Sequence, residues 1–346
     1  MGMVLFPHEK RDFLTGRRGT MRISAKRASR IMDFICILFL MLPLTAFGAE
    51  KVVVIPLFDG DCASGTCKPL KNIVTVAKAG GMYTDPVAAV NSITDANESN
   101  PYLVVIGPGV YTITSTLQMK QWVDIAGSGE NVTRIRGAIS TGNTDASSAI
   151  LSGSNHATLS SLTIENTGGS THSIALYNNS ASPTVSNVTA SASGATFNYG
   201  VYNLSSSSVM TDVTAVATGG SVNYGVLNFG SSPEMTGVVA TVSRGESQNI
   251  AVFNTASSTP TMTCVTATAV GAWPNSYGIY NYNSSPVIRR STMSGANDGL
   301  QTYTSGTTAL VSQSTIIGGV NSLGSGTNKC VACDKGDGTA TDASCN

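Results

Sequence analysis

The sequence predicts an all-β fold, a parallel β-helix in which coils of about 25 residues stack on one another. A hexapeptide repeats as NYGVYN and NYGVLN, and a second motif, VSNVTA and MTDVTA, recurs in step with it. Charged residues are only 12% of the 346-residue chain, and the repeats contain short strands and turns without a helical pattern. The first motif and its relatives SIALYN, NIAVFN and SYGIYN end at Asn178, Asn203, Asn228, Asn254 and Asn281.

The N-terminal segment predicts a signal peptide. Three basic residues between positions 26 and 30 precede an apolar run at 34–44, and the small residues that follow suit cleavage after Gly48 or Ala49. A permanent membrane anchor is the alternative, but the run is short for a bilayer span. We therefore expect a secreted protein, extracellular or periplasmic, with no transmembrane segment after signal removal.

Removal of the signal changes the charge balance. Residues 1–49 hold eight Lys and Arg and three Asp and Glu, which leaves twelve basic and seventeen acidic residues in the rest of the chain. A mildly acidic protein is a poor partner for nucleic acid, so we expect none.

The cysteines left after export predict disulfides at both ends. Cys62 and Cys67 are spaced to close a small loop, and Cys345 is expected to pair with Cys330 or with Cys333. A zinc site in the CVAC segment is the alternative, but a single CxxC without a second pair is weak evidence for zinc.

The repeats predict columns of identical side chains, because each strand pairs with its counterpart one coil away. Two aliphatic columns are expected to face the interior with a column of small alanines, and the repeated asparagines are expected to form an inward ladder. The first aliphatic column is Leu176, Val201, Val226, Val252 and Ile279. The second aliphatic column is Leu162, Val188, Val213, Val238 and Val265, and the alanines are Ala190, Ala215, Ala240 and Ala267.

Both ends of such a rod need covering, since an open coil exposes core and strand edges. In TDPVAAVNSI, Asp85 suits the N-cap, Pro86 the first helical position, and Val87, Val90 and Ile93 one apolar face. The expected domains are the signal peptide at 1–49, an N-terminal cap at 50–101, the β-helix at 102–320 and a cysteine-containing C-terminal cap at 321–346. Translation from Met21 would omit residues 1–20.

The stretch from Thr75 to Gly137 resembles the start of pectin lyase-like proteins, above all pectinesterases. The likeness lies in VAKAGG, DPVAAVNSI, LVVIGPGVYT, LQMKQWVDIAGSGE and TRIRG, and covers about sixty residues. The resemblance implies a right-handed β-helix, a secreted protein and a function that involves carbohydrate.

The catalytic motifs of that family are missing. Neither DFIFG-like nor GRPW-like sequences follow Gly137, and the GHG, RIK and paired-Asp motifs of polygalacturonases are also absent. We therefore expect a non-enzymatic protein that binds polysaccharide, a cell-surface glycan or another extracellular surface. The alternative is a polysaccharide lyase or hydrolase with a non-standard site, for which Asp212, Arg289 and Arg290 are the main candidates, with Asp124 and Glu165.

A column of outward aromatic residues is the expected ligand-binding feature. If Val201 points inward, its neighbour points outward, and aromatic rings there would suit sugar rings. The aromatic candidates are Tyr177, Tyr202, Phe253 and Tyr280, interrupted by Leu227.

Three weaker features suggest other functions. A threonine column could order water as an ice-binding surface, and a purely structural stalk is a further alternative. Arg289 and Arg290 are expected on opposite faces of a strand, so that only one meets an external anion. The tail places Asp334, Asp337 and Asp342 among glycines, a spacing that only partly suits a Ca²⁺ loop, so no cofactor is assigned. The threonines are Thr163, Thr189, Thr214, Thr266, Thr292 and Thr315.

Overall fold

The computed structural model describes Phe58–Asp59, Lys68–Pro69, 72–271 and 275–345. Within these residues there is one α-helix, α1 at Pro86–Ser92, and one 3-10 turn at Ala146–Ser148. The strands are β1 Phe58–Asp59, β2 Lys68–Pro69, β3 Asn72–Val76, β4 Tyr102–Ile106, β5 Gly109–Thr112, β6 Leu117–Gln118, β7 Val123–Ala126, β8 Thr133–Gly137, β9 Ala149–Ser152, β10 Thr158–Asn166, β11 His172–Asn179, β12 Thr184–Ser193, β13 Phe197–Leu204, β14 Val209–Thr218, β15 Val222–Phe229, β16 Glu234–Thr236, β17 Val239–Ser243, β18 Gln248–Thr255, β19 Thr261–Thr263, β20 Thr266–Val270, β21 Ser276–Tyr282, β22 Val287–Arg289, β23 Thr292–Tyr303, β24 Thr308–Ser312, β25 Thr315–Leu323 and β26 Thr327–Val331.

The predicted signal peptide and the predicted Cys62–Cys67 pair lie outside the described residues, so both stay predictions. In the described part of the chain, no helix is long and apolar enough to cross a membrane.

Parallel pairing between coils organises the strands. β1 and β2 pair antiparallel, and the other 24 described strands form one sheet. Each strand of that sheet pairs in parallel with its counterpart one coil away, as in the register Asn178 to Asn203 to Asn228. About nine coils result, which confirms the right-handed parallel β-helix. Pairing runs from Asn72 to Val331, and so extends beyond the expected 102–320 at both ends.

Each coil has three faces. Face 1 contains β3, β4, β7, the first halves of β10, β12 and β14, and then β16, β19, β22, β24 and β26. Face 2 contains β5, β8, the second halves of β10, β12 and β14, β17, β20, and the first halves of β23 and β25. Face 3 contains β6, β9, β11, β13, β15, β18, β21, and the second halves of β23 and β25. We call the turns that lead from face 3 to face 1 the turn edge.

The interior consists of the predicted columns. Every residue of both aliphatic columns and of the alanine column is fully buried in one hydrophobic core. Burial of aliphatic side chains at roughly 25 cal/mol per Å² is the main contribution to stability, and it repeats from coil to coil.

The predicted asparagine ladder is present at the end of face 3. Asn203 Nδ2 donates to Asn228 Oδ1 at 2.9 Å, and Asn203 Oδ1 accepts from Asn178 Nδ2 at 2.8 Å. The ladder continues at 2.8 Å per step to Asn281, whose Nδ2 donates to Thr302 Oγ1 at 3.1 Å. All five amides are buried, so each coil depends on the next one for a hydrogen-bond partner.

Face 3 contains a second ladder that sequence reasoning missed. Asn198 Nδ2 donates to Asn223 Oδ1 at 3.0 Å, and Asn223 Nδ2 donates to Asn249 Oδ1 at 2.9 Å. The same amides also donate to backbone carbonyls, including that of Gly219 at 3.0 Å. In three successive coils the motif therefore carries two buried amides, one at each end of the strand, while Ser173 and Ser276 take the second position in the flanking coils.

The glycine in NYGVYN allows a close approach between faces. A Cβ at Gly200 would lie 2.7 Å from the Gly225 carbonyl oxygen and 2.9 Å from the Val216 nitrogen. Since neither is a flexible side chain, only a very small residue fits. Two successive residues, Gly200 and Val201, face inward here, so the strand changes direction and Tyr199 and Tyr202 both face outward.

A column of left-handed residues forms the corner between faces 1 and 2. It explains Asp212 at φ 51° as a turn residue, since Asp and Asn tolerate this conformation. It also corrects the expectation for Arg289 and Arg290. β22 ends at Arg289, and Arg290 has φ 48°, so strand alternation stops and both side chains are exposed. The column is Ser161, Asn187, Asp212, Gly237, Cys264, Arg290 and Gln313.

Both predicted end structures are present in the described chain. Asp85 caps α1 by accepting from the Val87 nitrogen at 2.9 Å, and the helix buries Ala89 and Val90 in the core. At the other end Cys330 pairs with Cys345, which settles the choice left open by the sequence. Cys333 stays reduced and buried.

The central ladder position predicts a large loss of stability on substitution. Asn203→Leu would leave the side-chain Nδ2 of Asn178 and the side-chain Oδ1 of Asn228 buried without hydrogen-bond partners. Each unsatisfied group lowers the free energy of unfolding by about 1–3 kcal/mol. We expect urea denaturation to show a free energy of unfolding lower by about 2–5 kcal/mol. Asn179→Ala, at the neighbouring exposed position, is the control and should change it by less than about 0.5 kcal/mol. Equal effects of the two substitutions would contradict the role of the ladder.

Candidate functional site

The outer surface of face 3 carries a continuous set of aromatic rings, which we call the aromatic ladder. The predicted column beside Val201 supplies one row, and the residue before each small inward residue supplies another. The ladder consists of Tyr177, Tyr199, Tyr202, Tyr224, Phe253, Tyr277 and Tyr280.

Most rings of the aromatic ladder stack face to face on one another. Tyr224 stacks on Phe253 with centroids 5.7 Å apart and planes at 14°, and Phe253 stacks on Tyr280 at 5.2 Å and 25°. Tyr199 stacks on Tyr202 at 5.5 Å, which joins the two rows. Such offset stacking stabilises by about 0.5–1.5 kcal/mol per pair beyond burial, but it directs ring edges outward.

The first part of the ladder is largely covered, contrary to the expectation that it is free for a ligand. Tyr177 is 2% exposed and Tyr202 is 8% exposed, and both pack in a separate outer cluster with Tyr199 and Leu227. Phe253 and Tyr280, nearer the C-terminal end, are half-buried. The predicted binding residues therefore divide into a covered pair and a more accessible pair.

A loop covers the N-terminal end of the ladder. The 3-10 turn places Ala146 against the outer cluster, and Thr144 Oγ1 lies 3.1 Å from His172 Nε2. The other ring nitrogen of His172 lies 3.4 Å from the Tyr199 hydroxyl. Burial lowers the pKa of His172 below its usual value, so the neutral ring is favoured at this contact.

Burial also keeps the ladder tyrosines protonated. It raises the pKa of Tyr202 to about 12 and the pKa of Tyr224 to about 12, and neighbouring tyrosines add to the shift. The pKa of Tyr199 is raised as well, mainly by burial. The ladder is therefore uncharged across the physiological pH range.

The exposed rings lie in a different column, one residue after the asparagine ladder. Phe229 is 44% exposed, Tyr282 is 43% exposed and Tyr303 is 37% exposed. Tyr282 and Tyr303 stack at 5.5 Å with planes at 10°. Sequence reasoning missed this column because its residue type varies from coil to coil, and because its last members follow weakly matching repeats. The column is Asn179, Leu204, Phe229, Thr255, Tyr282, Tyr303 and Leu323.

A polar cleft of about 200 Å³ lies on the turn edge beside this tyrosine pair. Asn283, which follows Tyr282 directly, lines the cleft together with Ser285 and Ser305. The lining of the cleft is hydroxyl and amide groups, and the two exposed rings lie outside it, in the strand ends that lead into these turns.

The charged candidates for catalysis do not form a common site. Glu165 pairs with Arg134 at 3.4 Å and with Arg136 at 3.8 Å. Asp212 lies two coils from Glu165, in a different column, and three coils from Arg290, which is about 14 Å along the axis. Asp124 accepts from the Thr158 nitrogen at 2.6 Å on face 1.

The other two predicted features have structural partners. The threonine column stacks in register on face 2 with Val239 as its interruption, and Thr189 donates to Glu130 at 2.9 Å. In the tail, Asp334, Asp337 and Asp342 each accept from a backbone nitrogen two residues ahead. No group of three possible metal ligands converges in the described residues.

The chain is similar to solved β-helix structures. Pectate lyase Pel9A matches at 15% identity over 78% of this chain and 82% of that chain, with a TM-score of 0.48. Pectin methylesterase from Aspergillus niger matches at 14% identity over 79% and 92%, with a TM-score of 0.47. Pectin methylesterase from Yersinia enterocolitica matches at 14% identity over 61% and 79%, with a TM-score of 0.43.

No protein-family model and no curated protein matches the chain. The pectin lyase-like right-handed β-helix expected from the resemblance is confirmed, and the strand pairing itself establishes the fold. The matches say nothing of activity in this chain.

The tyrosine pKa values predict a loss of stability at high pH. Because the folded protein holds these phenolic protons more tightly than the unfolded chain, the stabilisation is complete below pH about 10 and disappears as pH rises through about 12. Urea denaturation at a series of pH values should show this fall, and it should be smaller in a Tyr202→Phe, Tyr224→Phe double variant. Phe253→Leu, which removes a ring without an ionisable group, should lower stability equally at every pH. A double variant with the wild-type pH profile would contradict the assignment.

Proposed function

We propose that the protein is a non-enzymatic polysaccharide-binding protein that acts outside the cytoplasm. The supporting observation is the exposed Tyr282–Tyr303 pair beside a cleft lined with hydroxyl and amide groups. Aromatic rings supply apolar area for the C–H faces of sugars, while hydroxyl and amide groups hydrogen-bond to sugar hydroxyls.

The residues predicted from sequence take different roles in this proposal. Phe253 and Tyr280 extend the apolar surface next to the exposed pair, whereas Tyr177 and Tyr202 hold the ladder together. A purely structural stalk would need the covered ladder but not the exposed rings.

The arrangement of charges favours binding over catalysis. Glycoside hydrolysis typically uses two carboxylates that act together on one bond. Here Asp124 lies on face 1, Asp212 lies in the corner column, and Glu165 lies on face 2 and is already paired to two arginines. A lyase would need a basic group beside its acids, and Arg289 and Arg290 lie three coils from Asp212.

The proposed setting follows from the sequence. The signal at 1–49 would direct export, and the segments at 50–101 and 321–346 would act as caps that keep the rod from stacking end to end.

Substitution of the exposed pair tests binding directly. Affinity electrophoresis against a panel of soluble neutral and acidic polysaccharides should show retardation by at least one polymer. Tyr282→Ala with Tyr303→Ala should weaken that binding by more than about tenfold, because the apolar contact is lost. Tyr282→Phe with Tyr303→Phe is the matched control and should keep most of it.

Three results would contradict the proposal. If no polymer retards the protein, polysaccharide binding is contradicted. If the alanine and phenylalanine variants bind equally well, the tyrosine pair is not the binding site. Release of reducing ends or unsaturated products from any of the polymers would show an enzyme.

A further inference from the structure

A second cleft, which is lined by aromatic rings, lies on the same turn edge near the N-terminal end of the β-helix. Trp122 and His156 stack with ring centroids 4.4 Å apart and planes at 11°. They line a cleft of about 300 Å³ together with Asp124, Thr158, Ser182 and Thr184.

Polar groups line this second cleft at one-coil intervals. Asp124, Thr158 and Thr184 occupy one column on face 1, and the residues two positions earlier, Trp122 and His156, occupy the adjacent column. The Asp124 carboxylate is held in place by the Thr158 nitrogen at 2.6 Å. The cleft therefore combines a ring pair, hydroxyl groups and one oriented carboxylate, whereas the first cleft is lined by hydroxyl and amide groups and has its rings beside it.

A row of hydroxyl groups connects the two clefts. Ser182 and Thr259 belong to the same column and line the N-terminal and C-terminal clefts respectively. Ser182 Oγ accepts from the Ser207 nitrogen at 2.9 Å, and Ser232 Oγ lies 2.9 Å from Thr259 Oγ1. The members are Ser182, Ser207, Ser232, Thr259 and Ser285, of which the first four are exposed.

The spacing along the axis suits an extended polymer. His156 and Thr259 are four coils apart in this column, which is about 19 Å at roughly 4.8 Å per coil. A short sugar cannot contact both aromatic pairs, whereas an extended chain along the axis can.

Charge along the turn edge favours a neutral polymer. The face 3 to face 1 turns at 153–157, 180–183, 205–208, 230–233, 256–260 and 283–286 contain no Lys or Arg, while Asp124 and Glu234 add negative charge next to them. Lys120, close in sequence to Trp122, donates instead to the backbone carbonyl of Asn91 at 3.1 Å. A carboxylated polymer would meet repulsion from Asp124 and Glu234, with no Lys or Arg in these turns to offset it.

We propose that the turn edge binds one extended neutral polysaccharide chain along the β-helix axis, with the Trp122–His156 cleft at one end and the polar cleft beside the Tyr282–Tyr303 pair at the other. This inference rests on the proposed function. It adds a second subsite, an orientation of the polymer along the β-helix axis and a preference for neutral over acidic polymers. Binding across both clefts gains affinity over either alone because the second contact is intramolecular.

Calorimetric titration with cello-oligosaccharides from the disaccharide to the octasaccharide, with polygalacturonate as the acidic probe, tests the inference. Affinity should rise at least about tenfold between the shortest and longest oligosaccharides. Trp122→Ala should remove most of that rise, and Trp122→Phe should restore part of it. Thermal melting of each variant checks that it is folded.

The outcomes separate the inference from the function on which it rests. Tyrosine-dependent binding that is independent of chain length, or unaffected by Trp122→Ala, would overturn the two-cleft track and leave polysaccharide binding in place. Tighter binding of polygalacturonate than of the neutral chain would overturn the charge preference. Absence of binding by every probe would overturn the inference and count against the proposed function.

Discussion

In-register stacking of each coil on the next is the constraint on which the rest of the structure depends. Backbone hydrogen bonds between parallel strands fix the register, and each position therefore repeats its environment from coil to coil. A valine that faces the core in one coil requires an apolar residue above and below it. The buried amides make this constraint strict, since a shift by one residue would place Asn203 and its counterparts outside and leave their partners unsatisfied.

The surface follows from the same constraint. Rings that repeat at one-coil spacing stack on each other, so the aromatic ladder stabilises the fold and covers its own faces. The proposed function therefore assigns recognition to positions where the repeat is broken. Tyr282 and Tyr303 lie outside the covered cluster, and Trp122 and His156 occupy a column that continues as serine. Because these positions diverge from the repeat, the aromatic ladder does not cover them, and the proposal places ligand binding there.

Much of the interior could be predicted from sequence because repetition reveals which residues share a column. The aliphatic columns, the ladder ending at Asn281, the cap helix and a C-terminal disulfide were all accessible in this way. Exposure was not, because it depends on neighbouring columns: Tyr202 faces outward, yet Tyr177 and Tyr199 cover it. The backbone conformation of Arg290 could not be predicted either, because an alternating strand pattern does not indicate that a residue adopts a left-handed conformation. The Trp122–His156 contact joins residues from unlike segments, so no repeat indicates it.

Removal of one coil tests the stacking constraint most directly. Deletion of residues 204–228 joins Asn203 to Phe229, and Phe229 already pairs with Leu204 one coil away, so every column stays in register. Deletion of 204–216, about half a coil, joins the end of a face 3 strand to the end of a face 2 strand, so faces 1 and 2 of that coil are lost and the later columns cannot stay in register. Circular dichroism and urea denaturation should show that the whole-coil deletion unfolds cooperatively with β-rich spectra, while the shorter deletion does not fold. Similar behaviour of the two proteins, whether folded or unfolded, would contradict the dependence of the structure on register.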